Sequence, residues 1–369
     1  MMQSSVAGTA APASAPRAAR ADWRTEIPET RRRPIRAWLW SIAAMTLGVL
    51  IVGGITRLTL SGLSIVEWRP FTGVIPPLTD AQWQATFDMY RAYPEYQSWR
   101  QGMTLAEFKF IFFWEYLHRL LARTIGLVFL VPFAFFWLRG WFNPQLRNRA
   151  LLLFGLGASQ GLMGWLMVAS GLVDMPRVSH YRLAAHLSLA FLIFGYAVWL
   201  ARDLRLGATR VTLPRDVRAR LLRGLSIVGA LLALQVVWGA FVAGLRAGKF
   251  YNTFPLMGGR LVPRDLIALD PAIVNFVQNP AAVQWMHRVL GTALLIATIA
   301  FCIRAWNYGT DTLSRRFNAT FLLLMLTQFT FGIATLVTRV PVSLGVIHQV
   351  TALILFGVWL GWLHHTRES

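Results

Sequence analysis

Four histidines lie inside long apolar segments of this chain, each near one end of its segment: His118, His186, His287 and His348. Imidazole is a common metal ligand, and two imidazoles from facing helices can hold a haem iron from both sides. The spacing is similar in the two pairs, because 68 residues separate the first pair and 61 separate the second. A structural zinc is disfavoured, since no second set of Cys, Asp or Glu accompanies them. A single such histidine is usually a polar side chain satisfied between helices, but the repetition favours haem sites.

Arginines follow two of these histidines directly, at Arg119 and Arg288. Haem carries propionates that need cationic partners, so a His-Arg pair can bind both the iron and the haem edge. The alternative is that the guanidinium groups anchor the helix ends to lipid phosphates. Because the His-Arg pair is repeated, the sequence favours contact with propionates.

Glu115 precedes His118 by three residues, so on a helix both lie on one face. The equivalent position before His287 is Gln284, which is neutral. One interpretation makes Glu115 a structural partner of Arg119 or a helix cap. The other makes it an acid-base catalyst beside one haem only. This asymmetry suggests a reactive site in the first half of the chain and a retained cofactor in the second.

The segments that carry these residues have the composition of membrane spans. Hydrophobic residues make up 56% of the 369 residues, which is too many for an ordinary soluble protein. The net charge of +20 is carried by short basic loops between apolar runs, so we expect it to orient a membrane protein and not to bind nucleic acid. The single cysteine, Cys302, excludes an internal disulfide and a cysteine-ligated cluster built by one chain.

About 20 apolar residues are needed to cross a bilayer, and the hydropathy pattern predicts eight spans. All must be helical, because backbone polar groups cannot remain unpaired in lipid. The predicted spans are 37–57, 110–138, 150–171, 181–201, 221–245, 282–305, 317–338 and 343–363. The fold class is therefore an all-α polytopic membrane protein.

The loop charges predict the orientation. Arginines are concentrated in the N-terminal tail and in the loops after spans two, four and six, so both termini face the cytoplasm. Residues 1–36 are predicted to form a disordered cytoplasmic tail. Two long loops, 58–109 and 246–281, then face outward, and the amphipathic stretch 81–90 suits a helix on the outer surface. His364 and His365 fall at the inner end and are interpreted as polar flanks.

The two halves of the chain repeat each other. H-R-L-L-A from residue 118 matches H-R-V-L-G from residue 287, and Q-G-L-M-G from residue 160 resembles Q-F-T-F-G from residue 328. Spans one to four therefore correspond to spans five to eight. We expect two parallel four-helix bundles, over residues 37–205 and 206–369, with an axis along the membrane normal.

Several motifs resemble those of the haem A synthase family, of the mitochondrial and alphaproteobacterial kind. The most specific are E-Y-L-H-R (115–119), N-T-F-P-L-M (252–257), W-M-H-R-V-L-G (285–291) and I-H-Q (347–349), supported by G-G-I-T-R-L-T-x-S-G-L-S (53–64). The resemblance covers about residues 37–365. The chain departs from some bacterial members in lacking a cysteine pair in an outer loop, so a redox role for such a pair is excluded here.

The resemblance implies a reaction, in which a methyl group of haem O is oxidised to the formyl group of haem A by successive hydroxylations. It places the substrate haem between His118 and His186, with Glu115 as the essential glutamate. It places a haem b cofactor between His287 and His348. It also implies a bacterial inner membrane more than a mitochondrial one, haem sites toward the periplasm, and haem O synthase and cytochrome oxidase assembly factors as partners. The electron acceptor is unidentified, and a homo-oligomer is left open.

The main alternative is a quinol-linked di-haem b-type cytochrome that transfers electrons in the membrane. It requires the four histidines equally but gives Glu115 no special role. Such a cytochrome normally carries its haems toward opposite faces, whereas all four histidines here are near one face. A transporter with a parallel repeat and a structural assembly factor are further alternatives, and neither explains the histidines.

Overall fold

The computed structural model describes residues 22–67, 72–171, 178–205, 213–308 and 310–368. Eight helices in these residues are long and apolar enough to cross a membrane, which confirms the predicted number of spans. They are α1 (Glu29–Leu58), α4 (Leu105–Leu138), α5 (Pro144–Gly171), α6 (His180–Asp203), α7 (Arg215–Gly244), α9 (Pro280–Trp306), α10 (Thr312–Val337) and α11 (Val342–Glu368). Short helices lie between them: α2 (Asp80–Arg91), α3 (Pro94–Trp99) and α8 (Asn275–Gln278). The described residues contain no β-strand, only an isolated bridge between Met257 and Arg260.

The first helix is longer than predicted, because it begins at Glu29 and not at residue 37. Glu29 forms ion pairs with Arg32 at 2.9 Å and with Arg33 at 3.1 Å. An acidic residue in the first turn, with basic residues three and four positions later, stabilises a helix. The prediction of disorder is therefore wrong for residues 29–36, while residues 1–21 of that tail lie outside the described residues.

The helix contacts in the two halves correspond. In the first half α1 packs on α4 and α6, and α5 packs on α6; in the second half α7 packs on α9 and α11, and α10 packs on α11. Between the halves, α6 packs on α7 just as α11 packs on α1. The central helices are thus α1, α6, α7 and α11. The repeat, its axis and the orientation in the membrane stay predictions.

The outer end of the bundle, named from the predicted orientation, is where α1 ends and α4 begins. Thr104 caps α4 through a capping box, in which its hydroxyl accepts from the N–H of Glu107 at 3.3 Å and the glutamate accepts from the threonine N–H at 2.8 Å. Phe108 of α4 stacks on Phe87 and Tyr90 of α2. The predicted surface helix 81–90 is therefore present within α2, and it buries these two rings against α4.

Candidate functional site

The four predicted histidines lie on four different helices, in the outer half of each: His118 on α4, His186 on α6, His287 on α9 and His348 on α11. They fall into two groups by position. His118 interacts electrostatically with His186, and His287 does so with His348. The structure thus brings together the two pairs that the sequence predicted. Each pair lies within one half of the bundle.

The imidazole rings are half-buried, but the Nδ1 atom of each is buried and has no hydrogen-bond partner among the described residues. A buried polar atom without a partner is costly, so it points to a missing ligand or an ordered water. Paired imidazoles of this kind fit the axial ligands of a haem iron. No group of three or more His, Cys, Asp or Glu ligand atoms within reach of one ion includes these histidines in the described part of the chain. The donor set therefore fits haem and does not fit a structural zinc.

Three of the four rings contact a glutamine on the helix that precedes them in the chain. The amide nitrogens of Gln160 and Gln235 lie 3.3 Å from Nε2 of His186 and of His287, and that of Gln328 lies 3.5 Å from Nε2 of His348. The corresponding position for His118 is occupied by Val49. The sequence analysis aligned residues 160 and 328 without giving them a role, and it overlooked residue 235. The signal was present, since all three glutamines occur as Q-x-x-x-G.

Glu115 is buried, with 2% of its surface exposed, and both of its oxygens accept hydrogen bonds. Ser64 Oγ and the N–H of Ile65 donate to Oε2 at 2.7 and 2.9 Å. Arg119 Nη2 donates to Oε1 at 2.5 Å, which forms an ion pair. Glu115 is therefore a partner of Arg119, as one of the two interpretations required. It is also held rigidly, one turn before His118.

Gln284 occupies the equivalent place in the second half and is equally buried. Its amide nitrogen donates to the carbonyl of Tyr251 at 2.9 Å, so it too contacts the outer loop. Its Oε1 has no hydrogen-bond partner within the described residues. The two positions thus share a place in the fold and differ in charge.

The arginines after the histidines hold the outer loops. Arg119 donates to the carbonyls of Ile65 at 2.8 Å and Glu67 at 3.3 Å. Arg288 donates to the carbonyls of Thr253 at 2.7 Å and Tyr251 at 2.9 Å. Each guanidinium group thereby connects the outer loop of its own half to the helix that carries the histidine of that half. A role of these arginines toward propionates stays a prediction.

A second buried carboxyl group lies in the outer loop, on Glu95 of α3, which is 9% exposed. Burial raises its pKa to about 7; the positive charge of Arg100 opposes this shift, and the negative charge of Glu115 adds to it. Its Oε2 has no hydrogen-bond partner among the described residues. The sequence analysis did not single out Glu95, because nothing in the local pattern distinguishes it from other loop acids.

The inner end carries contacts between basic and acidic side chains, and that of His364 joins the halves. His364 of α11 lies 2.9 Å from Asp203 of α6, which also pairs with Arg149 at 2.8 Å. His365 lies 2.8 Å from Asp311. Interpreting the two histidines as simple polar flanks was therefore wrong. Asp203, His364 and Glu368 have ligand atoms within 4.8 Å of one another, but arginines already pair with both carboxylates, so we assign no metal there.

Comparison with known proteins gives a family and close relatives. Residues 36–360 match the COX15-CtaA family, described as cytochrome oxidase assembly protein. The chain is 45% identical to a haem A synthase of Rhodospirillum centenum over 335 residues, which cover 91% of this chain and 89% of that protein. It is 44% identical to a haem A synthase of Nitrosospira multiformis, covering 90% and 93% of the two chains. It is 43% identical to one of Parvibaculum lavamentivorans, covering 93% and 97%.

Proposed function

This chain belongs to the COX15-CtaA family of cytochrome oxidase assembly proteins, and from that premise we propose that it is a haem A synthase. It oxidises a methyl group of haem O to the formyl group of haem A, which is the work of an oxidoreductase acting on a CH3 group. Two observations agree with this assignment: the extensive identity to proteins named haem A synthase, and the two pairs of facing imidazoles.

The observation that carries the proposal is the difference between Glu115 and Gln284. Both are buried one turn before a histidine and bound to an outer loop. Only the first can take or give a proton, so the two halves are suited to different tasks. We place the substrate haem O between His118 and His186, beside the carboxyl group. The second pair, His287 and His348, retains haem b.

Haem b supplies one-electron redox chemistry when it is bound. The residues of the chain do the positioning. His287 and His348 hold the retained haem from α9 and α11, while His118 and His186 orient the substrate from α4 and α6. Glu115 takes up or returns protons as the methyl group is hydroxylated twice, each time in a two-electron oxidation whose electrons leave to an external acceptor, and as the resulting geminal diol loses water. Its three hydrogen bonds fix both oxygens, so the carboxyl group meets the substrate in one orientation.

Arg119 and Arg288 are proposed to bind haem propionates from beneath the outer loops. A guanidinium group has five N–H donors, and the Nε of Arg288 makes no hydrogen bond within the described residues. Each arginine would then connect a propionate with the loop that covers the site. This arrangement would place the polar edge of each haem outward and its apolar edge between the helices.

The protein is proposed to lie in the bacterial inner membrane with both termini in the cytoplasm and the haem sites toward the periplasm. Haem O synthase and cytochrome oxidase assembly factors are its expected partners, because the first supplies the substrate and the second use the product. The electron acceptor has no assigned residues. An electron-transfer cytochrome with two haems b is the alternative to be excluded.

The deciding experiment is haem extraction and mass spectrometry on protein purified from cells that supply haem O. Haem A or a hydroxylated haem O, together with haem b, is expected from the wild-type protein. The matched control is His118→Ala, which should retain haem b and lose both products. Haem b alone at two per chain would refute the proposal and support the electron-transfer cytochrome.

A further inference from the structure

Each of the four histidine rings packs against a glycine on the helix that precedes it in the chain. The contact is made on the Cε1 side of the ring, and it occurs in four pairs of spanning helices: α1 with α4, α5 with α6, α7 with α9 and α10 with α11. The four contacts are Gly53 with His118, Gly164 with His186, Gly239 with His287 and Gly332 with His348.

The contacts differ in closeness. A Cβ added at Gly53 would lie 2.8 Å from Cε1 of His118, which is closer than non-bonded carbon atoms approach. The corresponding distances are 3.0 Å at Gly332, 3.2 Å at Gly239 and 3.4 Å at Gly164. The substrate pair therefore contains both the tightest contact and the loosest one.

The glycines keep a fixed register with the glutamines described above. Gln160, Gln235 and Gln328 each precede their glycine by four residues, which is about one turn of the same helix. In these three pairs the preceding helix contacts the ring in two places: the glycine lies against Cε1, and the amide of the glutamine lies against Nε2. His118 is the exception, because Val49 replaces the glutamine, so the ring meets the Val49 backbone and no side-chain amide beside its glycine.

We propose that Gly53, Gly239 and Gly332 are positioning residues, which set the distance and tilt of the haem-ligating imidazoles of His118, His287 and His348, whereas the contact of Gly164 with His186 is too loose to do so. This proposal rests on the proposed function, since it takes the histidines as haem ligands. A metal–nitrogen bond tolerates deviations of only about 0.2 Å from its ideal length. A methyl group that pushes an imidazole by a few tenths of an ångström therefore disturbs coordination, although it touches no haem atom.

The order of sensitivity follows from the distances. Alanine at Gly53 must displace His118, while alanine at Gly164 makes only an ordinary van der Waals contact with His186. His118 is also the ring that no glutamine supports. We therefore expect alanine at Gly53 on α1 to disturb the substrate site and alanine at Gly164 on α5 to be tolerated.

The test compares Gly53→Ala with Gly48→Ala on the same helix, and Gly164→Ala with Gly161→Ala on α5. An added Cβ at Gly48 or Gly161 meets nothing within 4 Å, so both are matched controls. The readouts are bound haem O after extraction, haem b content, and the electron paramagnetic resonance spectrum of the ferric haems. Gly53→Ala should lower haem O binding about 10- to 100-fold, the range for residues that orient metal ligands, and leave the haem b signal unchanged. The other three variants should match the wild type.

Equal haem O binding in Gly53→Ala and Gly48→Ala would overturn the proposal. If Gly53→Ala does not accumulate as folded protein, the haem b spectrum and midpoint potential of Gly332→Ala and Gly239→Ala provide the test. The larger shift in both quantities is expected for Gly332→Ala. Equal and unshifted spectra in both would again refute it. A wild-type protein that binds no haem O would instead refute the proposed function. Failure of the glycine proposal is distinguished from this outcome, because the wild-type protein then still binds haem O.

Discussion

Replacing Glu115 with Gln affects both the ion pair with Arg119 and the proton transfer proposed for this side chain. The substitution keeps the shape and leaves an oxygen that can accept from Ser64 and Ile65, but it removes the charge that pairs with Arg119. Breaking a buried ion pair by removing one partner costs about 3–5 kcal/mol of stability. We expect the lower end, near about 3 kcal/mol, because Arg119 keeps its bonds to two loop carbonyls.

The catalytic effect has a similar size, so Glu115→Gln alone cannot distinguish a structural role from a chemical one. General acid-base catalysis contributes about 10²- to 10⁴-fold in rate, which equals about 3–5 kcal/mol of activation energy. The double variant Glu115→Gln/Arg119→Gln removes both charges and leaves no unpaired ion. It should recover most of the lost stability. Turnover per bound haem O should stay about 10²- to 10⁴-fold below that of Arg119→Gln alone if Glu115 is the acid-base group, since both variants lack the guanidinium group proposed to bind a propionate.

The assay measures conversion of haem O to haem A per bound haem b, with thermal unfolding in detergent as the stability readout. Gln284→Glu is the matched control, because it places a carboxyl group four residues before Arg288, as Glu115 precedes Arg119. That variant should lose stability, because a carboxylate then faces the carbonyl of Tyr251, but its folded fraction should retain wild-type turnover per bound haem b. A double variant that converts haem O within about tenfold of the rate of Arg119→Gln alone would refute the acid-base role. Glu115 would then be a structural partner of Arg119 only.

Three further predictions concern other parts of the molecule. His287→Ala and His348→Ala should each remove the retained haem b, measured as the pyridine haemochrome, and normal haem b in both would contradict the pairing. Because the pKa of Glu95 is raised in the folded protein, its protonated carboxyl group contributes stability that is fully present below about pH 4.5 and is lost as the pH rises through about 7. Glu95→Gln should therefore gain up to about 3 kcal/mol relative to the wild type at pH 8 and nothing at pH 4.5, by thermal unfolding; an equal difference at both pH values would exclude this titration. Asp203→Asn should lower stability by about 2 kcal/mol, since it removes the carboxylate that pairs with Arg149 in the first half and contacts His364 of the second half, with unchanged haem content in the folded fraction; a wild-type melting temperature would refute this.

The spans could be predicted from the sequence because lipid imposes a minimum apolar length. Their inner ends could not, since basic residues such as Arg32 and Arg33 look like tail until an acid such as Glu29 is seen to pair with them along a helix. The same limit applies to α7, which begins at Arg215 although its apolar run begins at residue 221. Hydropathy marks where a helix enters lipid and not where its hydrogen bonds begin.

At the site, the sequence predicted the histidines because ionisable residues stand out in apolar runs. It could not predict what holds them. Ser64 and the Ile65 backbone lie about 50 residues before Glu115, in a loop whose path depends on the tertiary fold. The glycines beside the rings carry no side chain, so they look like any other small residue of a membrane helix. Only their distance to an imidazole on the next helix gives them a role.

The two halves have the same arrangement of helix, histidine and outer loop, and they differ in the side chain one turn before the histidine, which is Glu115 in the first half and Gln284 in the second. In both, a buried side chain one turn before the histidine binds an outer loop, and the arginine after it binds the same loop. Glu115 faces a hydroxyl, an amide N–H and a guanidinium group, which are all donors, whereas Gln284 faces a carbonyl, which only accepts. Exchanging the two residues would therefore mismatch donors and acceptors in both loops. The difference between a reactive and a retaining site thus extends into the loops, so a second reactive site would require the loop of residues 251–257 to change together with Gln284.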